Sequence, residues 1–346
     1  RDEEFRNNRE PSGTPRIGAG RFPLWDTKFN EFQTMDLMRQ MEEETPYPVK
    51  AVFALGLNAK LFPETDRLLE VMKKKLDFIV DVDLFMNMSA KYADIVLPAC
   101  SSVERSELKC YRGGYLVYTK PAIKPLYESK SDVDILCELA RVMDLDDDLL
   151  KAGYEACLDW MIEGCGLTMA DLKKSDVPMK VPSAVWPVTP GNCLKNGFPT
   201  PTGKFEFYSM DIAAVDPKYG LDPLPSYRDS LGEQDSKALR EQYPFYLCTG
   251  ARLPYAIHSR VHKTPWLRSL RPDPTCEINR QDAACLGLKD GDSAILSSPY
   301  GEIRMKVKVT SKIKPGVILT VPGYSEANVN NLIGRDHLDP YSGFPG

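Results

Sequence analysis

Three short apolar segments arranged around one helical segment constrain the fold of this chain more than any other feature. VKAVFAL, LDFIVDV and ADIVLP have the length and composition of buried strands. Between the first two, Glu64 to Lys75 follows a proline, carries acidic residues in its first turn and ends in three lysines, which is typical of a helix. Strands joined in this way form parallel sheets with right-handed crossovers. The sequence therefore predicts a parallel α/β unit from Val49 to about Pro98, with the helix on one face.

A Pro- and Gly-rich stretch at residues 177–203 divides the rest of the chain. Upstream of it, SKSDVDILCELARVM has apolar residues at helical spacing behind a serine that can cap a helix. Proline and glycine in such numbers interrupt regular elements, which is typical of a domain boundary. The predicted organisation is an irregular lead-in at 1–48, an α/β domain at 49–180 and a second domain at 181–346.

The second domain is predicted from a change of the hydrophobic period to two. In EIRMKVKVT, Ile303, Met305, Val307 and Val309 are expected to face inward, and the basic residues between them outward. The predicted strands are KFEFYS, PFYLCTG, DSAILSS, EIRMKVKVT and GVILTVP, interrupted by a single helix at NRQDAACLG. Short strands joined by tight turns predict a compact β-barrel.

Composition and charge exclude several classes of function. The chain has 44 basic and 49 acidic residues, a net charge of −5, so it carries no electrostatic footprint for nucleic acid. Its mean hydropathy is −0.34, and no apolar run approaches the roughly 18 residues of a membrane-spanning helix. The nine cysteines form no CxxC pair and the three histidines no HExxH motif, which argues against a dedicated zinc site. Free thiols fit either a cytoplasmic protein or one exported already folded, so the localisation stays open.

Ligand-binding residues are predicted where the parallel strands end. Gly56 and Asn58 follow the first strand, and Asp83 ends the second. Glycine lets the backbone approach a ligand, while an amide and a carboxylate can bond to sugar hydroxyls or to the edge of a base. Neither GxGxxG nor GxxxxGK[ST] is present, and Gly and Asn are also ordinary turn residues. From these residues alone, ligand binding and turn formation both remain open.

A second group of candidate residues follows the second predicted strand of the barrel. The backbone N–H of Gly250 and the side chains of Arg252, His258 and Ser259 can hold a phosphate through charge-assisted hydrogen bonds. The alternative is that the arginine is a surface charge and the histidine a turn residue. Further along, SEANVNNL has one carboxylate and three amides, which suits a heterocycle or, alternatively, an Asn-rich cap.

Taken together, these segments resemble the molybdopterin oxidoreductases of the dimethyl-sulfoxide-reductase class. Those that resemble the third domain of the family are LGLNAKLF, DLFMNMSAKYADIVLPACSSVER and ESKSDVDILCELARVM. Those that resemble the fourth, the dinucleotide-binding β-barrel, are FPTPTGKFEFYS, LCTGAR, PDPTCEINRQDAACLGLKDGD, GEIRMKVKVTSKIKPGVI, SEANVNNL and DPYSGFP. The resemblance extends from about Val49 to the last residue, and the motifs occur in the order found in the family.

The resemblance implies a fold, a cofactor and a set of binding residues. In this family, two molybdopterin guanine dinucleotides chelate one molybdenum or tungsten ion. The implied fold is a Rossmann-like α/β domain followed by a double-psi-like β-barrel. The implied cofactor-binding residues are Gly56, Asn58, Asp83 and Ser89 at one guanosine end, Gly250, Arg252, His258 and Ser259 at phosphate and pterin, and Asn279, Glu326 and Asn330 near pterin or dinucleotide groups.

The chain also departs from the family pattern. The cysteine cluster for a 4Fe-4S centre and the domain with the protein ligand to the metal lie upstream in the family and are absent here, so no metal ligand or catalytic residue is named. KCYRGGYLVYTKP replaces a segment in which many relatives carry an asparagine before a basic pair. ESKSD favours the sulfur-compound reductases over the formate dehydrogenases.

We therefore expect a C-terminal fragment of an enzyme, inactive alone, that supplies much of the cofactor cradle. The intact enzyme would perform two-electron redox chemistry or oxygen-atom transfer, with electrons passing through an iron–sulfur cluster. Its expected partners are the missing N-terminal domains and an iron–sulfur electron-transfer subunit. The alternative is a non-catalytic nucleotide-binding or scaffold module of a redox complex, which the metal content of the full-length protein distinguishes.

Overall fold

The computed structural model describes residues 14–28, 31–111, 114–182, 191–227, 233–250 and 264–345. The helices are α1 Pro23–Lys28, α2 Leu37–Glu43, α3 Thr65–Lys75, α4 Asp132–Val142, α5 Asp148–Ala152, α6 Tyr154–Ile162, α7 Met169–Lys174, α8 Asn192–Asn196, α9 Met210–Ala213, α10 Glu233–Gln242, α11 Pro265–Arg268 and α12 Arg280–Cys285. The strands are β1 Ala51–Leu55, β2 Phe78–Asp83, β3 Ile95–Pro98, β4 Glu107–Tyr111, β5 Tyr115–Thr119, β6 Met179–Lys180, β7 Tyr246–Cys248, β8 Thr275–Asn279, β9 Ser293–Ser298, β10 Gly301–Thr310 and β11 Val317–Thr320.

The three apolar segments form a parallel sheet in the order β1-β2-β3, which confirms the predicted α/β unit. Helix α3 covers one face of this sheet because its apolar residues recur at helical spacing. Leu68 and Met72 of α3 pack in one core cluster with Ile79 of β2. The lead-in contributes Met38 and Met41 of α2 to the same cluster, so part of it belongs to this core.

The opposite face of the parallel sheet is apolar, and its two outer strands are partly exposed. The strand register places Phe53 beside Val80 and Val80 beside Ile95, on the face away from α3. Phe53 is 39% exposed and Ile95 45%, whereas Val80 between them is buried. Parallel sheets are normally covered on both faces, so this surface has the character of a contact with further protein.

An antiparallel hairpin and four helices follow the parallel sheet. Strands β4, β5 and β6 form a three-stranded antiparallel sheet, which the sequence did not indicate. Leu116 of β5 packs in a second core cluster with Leu158 of α6 and Leu172 of α7. Helix α4 begins at the predicted cap, because the Ser131 hydroxyl accepts a hydrogen bond from the backbone N–H of Asp134 at 3.1 Å.

The C-terminal region is built on a mixed five-stranded sheet in the order β7-β11-β8-β10-β9. Ile303, Met305 and Val307 are buried on β10 and the basic residues between them are exposed, which confirms the predicted alternation; Val309 is half-buried. Strands β7 and β9 lie at the two edges and are not paired with each other in the described part of the chain. The sheet is therefore a curled half-barrel around its apolar core.

Two predictions for this region are wrong. KFEFYS at 204–209 forms no strand, because the Glu206 carboxylate instead accepts hydrogen bonds from the Thr202 hydroxyl and from the N–H of Met210, the first residue of α9. The single predicted helix is accompanied by α8, α9, α10 and α11. Three of these have only four or five residues, which is too short for a helical period to show in the sequence.

Candidate functional site

The carboxyl ends of β1 and β2 open into a cavity of about 480 Å³. Because the strands are parallel neighbours, the turns that follow them meet at one edge of the sheet. Gly56, Asn58 and Asp83 all line this cavity, so three predicted residues lie together. The volume falls within the roughly 300–1,000 Å³ usual for small-molecule sites.

Gly56 turns the chain at the end of β1. Its φ angle is +67°, a left-handed conformation that glycine adopts without strain, and its N–H donates to the Val82 carbonyl at 2.8 Å. A Cβ placed on Gly56 would meet no protein atom within 4 Å. The backbone here is therefore open to a ligand, and the conformation accounts for glycine at this position.

The Asp83 carboxylate is held in place by the loop that follows β2. Its Oδ1 accepts from the N–H of Phe85 at 2.9 Å, and its Oδ2 accepts from Asn87 Nδ2 at 2.7 Å. Asn87 Nδ2 also donates to the Leu57 carbonyl at 3.1 Å, which joins this loop to the turn after β1. Each carboxylate oxygen can accept more than one hydrogen bond, so Asp83 keeps capacity for a ligand.

Ser89 supports the cavity without lining it. Its hydroxyl accepts from the N–H of Ala59 at 2.9 Å, and the residue is almost fully buried. This bond fixes the short 3₁₀ turn, Ala59–Leu61, that begins beside Asn58. Ser89 thus holds in place the turn that contains Asn58, and it does not line the cavity itself.

The cavity also contains residues that the sequence did not single out. Lys60, Asn87 and Arg105 line it together with the predicted three. Arg105 reaches the edge from the segment after β3, where its Nη1 donates to the Cys100 carbonyl at 2.8 Å and its Nε to Glu107 at 2.8 Å. No local motif marks these side chains, because only the fold brings them to this edge.

Asp81 is a buried carboxylate on the strand that supplies Asp83. It is 0% exposed, and neither of its oxygens meets hydrogen-bond geometry with a described residue. Burial, together with the negative charge of Asp83, raises the pKa of Asp81 to about 6, although the nearby backbone of Leu57 offsets part of this rise. The strand therefore carries one buried carboxyl with a raised pKa, two residues before the carboxyl that lines the cavity.

The predicted residues of the mixed sheet do not converge in the same way. Gly250 lies just beyond β7, at the same end of the sheet as Thr320 of the parallel β11. Asn279 lies at the opposite end, because β8 is antiparallel to β11. Arg252, His258 and Ser259 lie outside the described residues.

Asn279, Glu326 and Asn330 each have a local partner in the structure. Asn279 Oδ1 accepts from the N–H of Gln281 at 2.8 Å, which caps α12, and its Nδ2 donates to the Ile313 carbonyl at 2.6 Å. Glu326 forms an ion pair with Arg268. Asn330 Nδ2 donates to the Lys60 carbonyl at 2.7 Å, so it bridges the C-terminal region and the α/β region.

The described residues contain neither a cluster of metal-ligating side chains nor a membrane-spanning helix. No group of three or more His, Cys, Asp or Glu side chains in these ranges is arranged to hold a metal ion. Within the same ranges, no helix is both long and apolar enough to cross a membrane.

Two family models match the chain and together cover more than half of it. Residues 19–142 match the model described as molybdopterin oxidoreductase, and residues 245–346 match the model described as molydopterin dinucleotide binding domain. The chain belongs to the molybdopterin oxidoreductase family. The predicted resemblance is thereby confirmed, and the cavity lies within the part matched by the first model.

Curated relatives and a solved structure agree with this membership. Acetylene hydratase from Syntrophotalea acetylenica is 28% identical over 89% of this chain and 44% of its own. Dimethyl sulfoxide reductase DmsA from Escherichia coli is 26% identical over 80% and 37%, and dopamine dehydroxylase from Eggerthella lenta is 26% identical over 95% and 40%. The structure of acetylene hydratase from Pelobacter acetylenicus has a TM-score of 0.76 at 26% identity, covering 91% of this chain and 45% of its own. This molybdopterin oxidoreductase chain thus spans less than half the length of the relatives it matches.

Proposed function

We propose that this chain is the C-terminal part of a molybdenum or tungsten oxidoreductase and holds the dinucleotide end of its cofactor. The observation that carries the proposal is the convergence of Gly56, Asn58 and Asp83 on one cavity in a chain of this family. The domain limits at 49–180 and 181–346 are part of the same proposal.

The residues present fit a guanosine group. An open backbone at Gly56, the amide of Asn58 and the oriented carboxylate of Asp83 offer the donors and acceptors that a purine edge and a ribose require. Gly250, Arg252, His258 and Ser259 are proposed to hold the pyrophosphate and pterin, and Ser89 to support the guanosine turn. When bound, the cofactor would supply two-electron redox chemistry at its metal ion.

The substrate of the intact enzyme is proposed separately from its cofactor. The names of the relatives describe a hydratase, a sulfoxide reductase and a dehydroxylase, so similarity over this half of the protein does not select one reaction. From the resemblance, we also propose that the intact protein carries a second copy of the dinucleotide and an upstream 4Fe-4S cluster. Its proposed reaction is oxygen-atom transfer to or from a sulfur compound.

The exposed apolar face of the parallel sheet favours a second candidate function. Phe53 and Ile95 present a surface that suits burial against protein, either the upstream domains of this enzyme or a separate iron–sulfur subunit. A non-catalytic scaffold of a redox complex would use the same surface. The two candidates differ in whether the cavity holds a cofactor.

Analysis of the intact protein tests the proposal. Metal content would be measured by mass spectrometry, and guanosine monophosphate would be measured after acid hydrolysis, which cleaves the pyrophosphate of the dinucleotide. We expect one molybdenum or tungsten and two guanosine monophosphates per chain. An intact protein with neither would contradict the proposal and support the scaffold.

A further inference from the structure

We infer that Lys60 is a positioning residue that ties the guanosine cavity to the dinucleotide-binding domain. This inference rests on the proposed function of the cavity and adds a coupling between the two regions. Lys60 lines the cavity within the 3₁₀ turn after β1, yet its side chain extends away from that turn into the C-terminal region.

The ammonium group of Lys60 is buried in the contact between the two regions. The residue is 3% exposed, and its Nζ donates to the Gly323 carbonyl at 3.0 Å and to Ser325 Oγ at 3.1 Å. Gly323 has a φ of +109°, which glycine adopts readily. A buried ammonium costs free energy unless its N–H groups are hydrogen-bonded, so this arrangement is stable only while the loop stays in place.

Further hydrogen bonds join the same two segments. Asn330 Nδ2 donates to the Lys60 carbonyl at 2.7 Å, and the Asn330 carbonyl accepts from the N–H of Glu64 at 2.8 Å. Asn328 Nδ2 donates to Thr65 Oγ1 at 2.8 Å. We call Lys60, Gly323, Ser325, Asn328 and Asn330 the Lys60 clasp.

The clasp connects both proposed ends of the cofactor cradle. On one side it holds the turn that contains Asn58 and Lys60 at the cavity. On the other side its loop follows directly from β11, whose carboxyl end lies beside Gly250. Buried polar networks of this kind hold one arrangement, because a partly satisfied network is unfavourable. Displacing the loop would therefore change the shape of the guanosine cavity.

The test compares three variants of the full chain with the wild type. Lys60→Met removes the ammonium and keeps most of the length of the side chain. Asn328→Ala weakens the clasp at a residue that does not line the cavity. Lys74→Met is the matched control, because Lys74 is an exposed residue of α3 paired with Glu70. Guanosine diphosphate is titrated by calorimetry, and hydrogen exchange is measured over residues 56–61 and 323–331.

We expect Lys60→Met to weaken guanosine diphosphate binding about tenfold, Asn328→Ala several-fold and Lys74→Met not at all. Exchange should become faster in both segments of the first two variants, while circular dichroism remains that of the wild type. If Lys60→Met does not fold, Ser325→Ala replaces it, because that change removes one acceptor and keeps the lysine.

Two results would overturn the inference. Weaker binding in Lys60→Met alone, with Asn328→Ala and the exchange of 323–331 unchanged, would make Lys60 a direct ligand. Unchanged exchange in every clasp variant would show that no coupling exists. Failure of the wild type to bind guanosine diphosphate would count against the proposed function, whereas hydrogen exchange would still decide whether the clasp joins the two regions.

Discussion

The predicted ligand residues lie close together at the parallel sheet but not at the mixed sheet. At the parallel sheet, Gly56, Asn58 and Asp83 line one cavity. At the mixed sheet, Gly250 and Asn279 lie at opposite ends. All strands of a parallel sheet end at the same edge, whereas neighbouring strands of a mixed sheet can end at either edge. Residues that follow strands are therefore expected to converge only where the strands are parallel.

The two regions differ also in how the predicted side chains are used. Asp83 is oriented by its neighbours and faces a cavity, whereas Asn279 has both ends of its amide in local hydrogen bonds. Glu326 and Asn330 likewise contact protein. In the mixed sheet, a polar residue after a strand is thus explained first by capping and by contacts between segments.

The largest effect is expected on the free energy of unfolding when Asp81 is replaced. Asp81 is a buried carboxyl of β2, the strand that also supplies Asp83 to the cavity. Its pKa of about 6 exceeds the ordinary value of 3.8, so the folded state binds a proton more tightly than the unfolded chain. The contribution of Asp81 is thus most favourable below about pH 4, declines up to about pH 6 and is constant above it. Replacing Asp81 with Asn should raise the free energy of unfolding, relative to the wild type, by about 2.4 kcal/mol more at pH 7.5 than at pH 4. Urea unfolding at both pH values measures this, and a difference independent of pH would show that Asp81 titrates normally.

The sequence predicted the parts of the fold in which local pattern and tertiary burial agree. The alternation of β10 is visible because Ile303, Met305 and Val307 face one core over a long strand. Helix α3 could be predicted because the charged residues at its two ends and the spacing of its apolar residues both indicate a helix. KFEFYS alternates equally well and is no strand, because hydrogen bonds to Glu206 form a turn there instead.

The sequence predicted only those site residues whose positions follow from the order of the parallel strands. Strand ends located Gly56 and Asp83, but nothing local indicates that Ser89 bonds to Ala59 or that Asn330 bonds to Lys60, 270 positions away. The capping role of Asn279 could have been predicted from the sequence, because asparagine is a common residue at the start of a helix. The roles of Arg252, His258 and Ser259 remain predictions.

The second prediction tests the contrast between the two sheets by removing the Asp83 carboxylate from the cavity. Asp83→Ala deletes a charged acceptor of the proposed guanosine site, so guanosine diphosphate binding to the full chain should weaken about 30-fold, or about 2 kcal/mol. Calorimetric titration measures the affinity. Asp77→Ala serves as the control, because Asp77 is an exposed acid just before the same strand. Equal affinity in Asp83→Ala and the wild type would remove Asp83 from the site.

A smaller effect is expected at the opposite end of the mixed sheet. Asn279→Ala removes the cap of α12 and the bond to the Ile313 carbonyl, so the free energy of unfolding should fall by about 1 kcal/mol. Binding of guanosine diphosphate should be unchanged, because Asn279 does not line the cavity. If Asn279→Ala lowered the affinity and left stability intact, the contrast between the two sheets would fail.

The smallest effect is expected from Glu326→Gln. The Glu326 side chain is 48% exposed and that of its partner Arg268 29%, so water and salt screen the ion pair. The free energy of unfolding should change by no more than about 0.5 kcal/mol, and the change should disappear in about 1 M salt, where the Debye length is roughly 3 Å. Cofactor content of the intact enzyme is the more informative measurement, because it shows whether Glu326 binds the cofactor in addition to its ion pair with Arg268. Unchanged content is expected if the ion pair is the main role of Glu326, whereas lower content with unchanged stability would confirm Glu326 as a cofactor-binding residue of the C-terminal region.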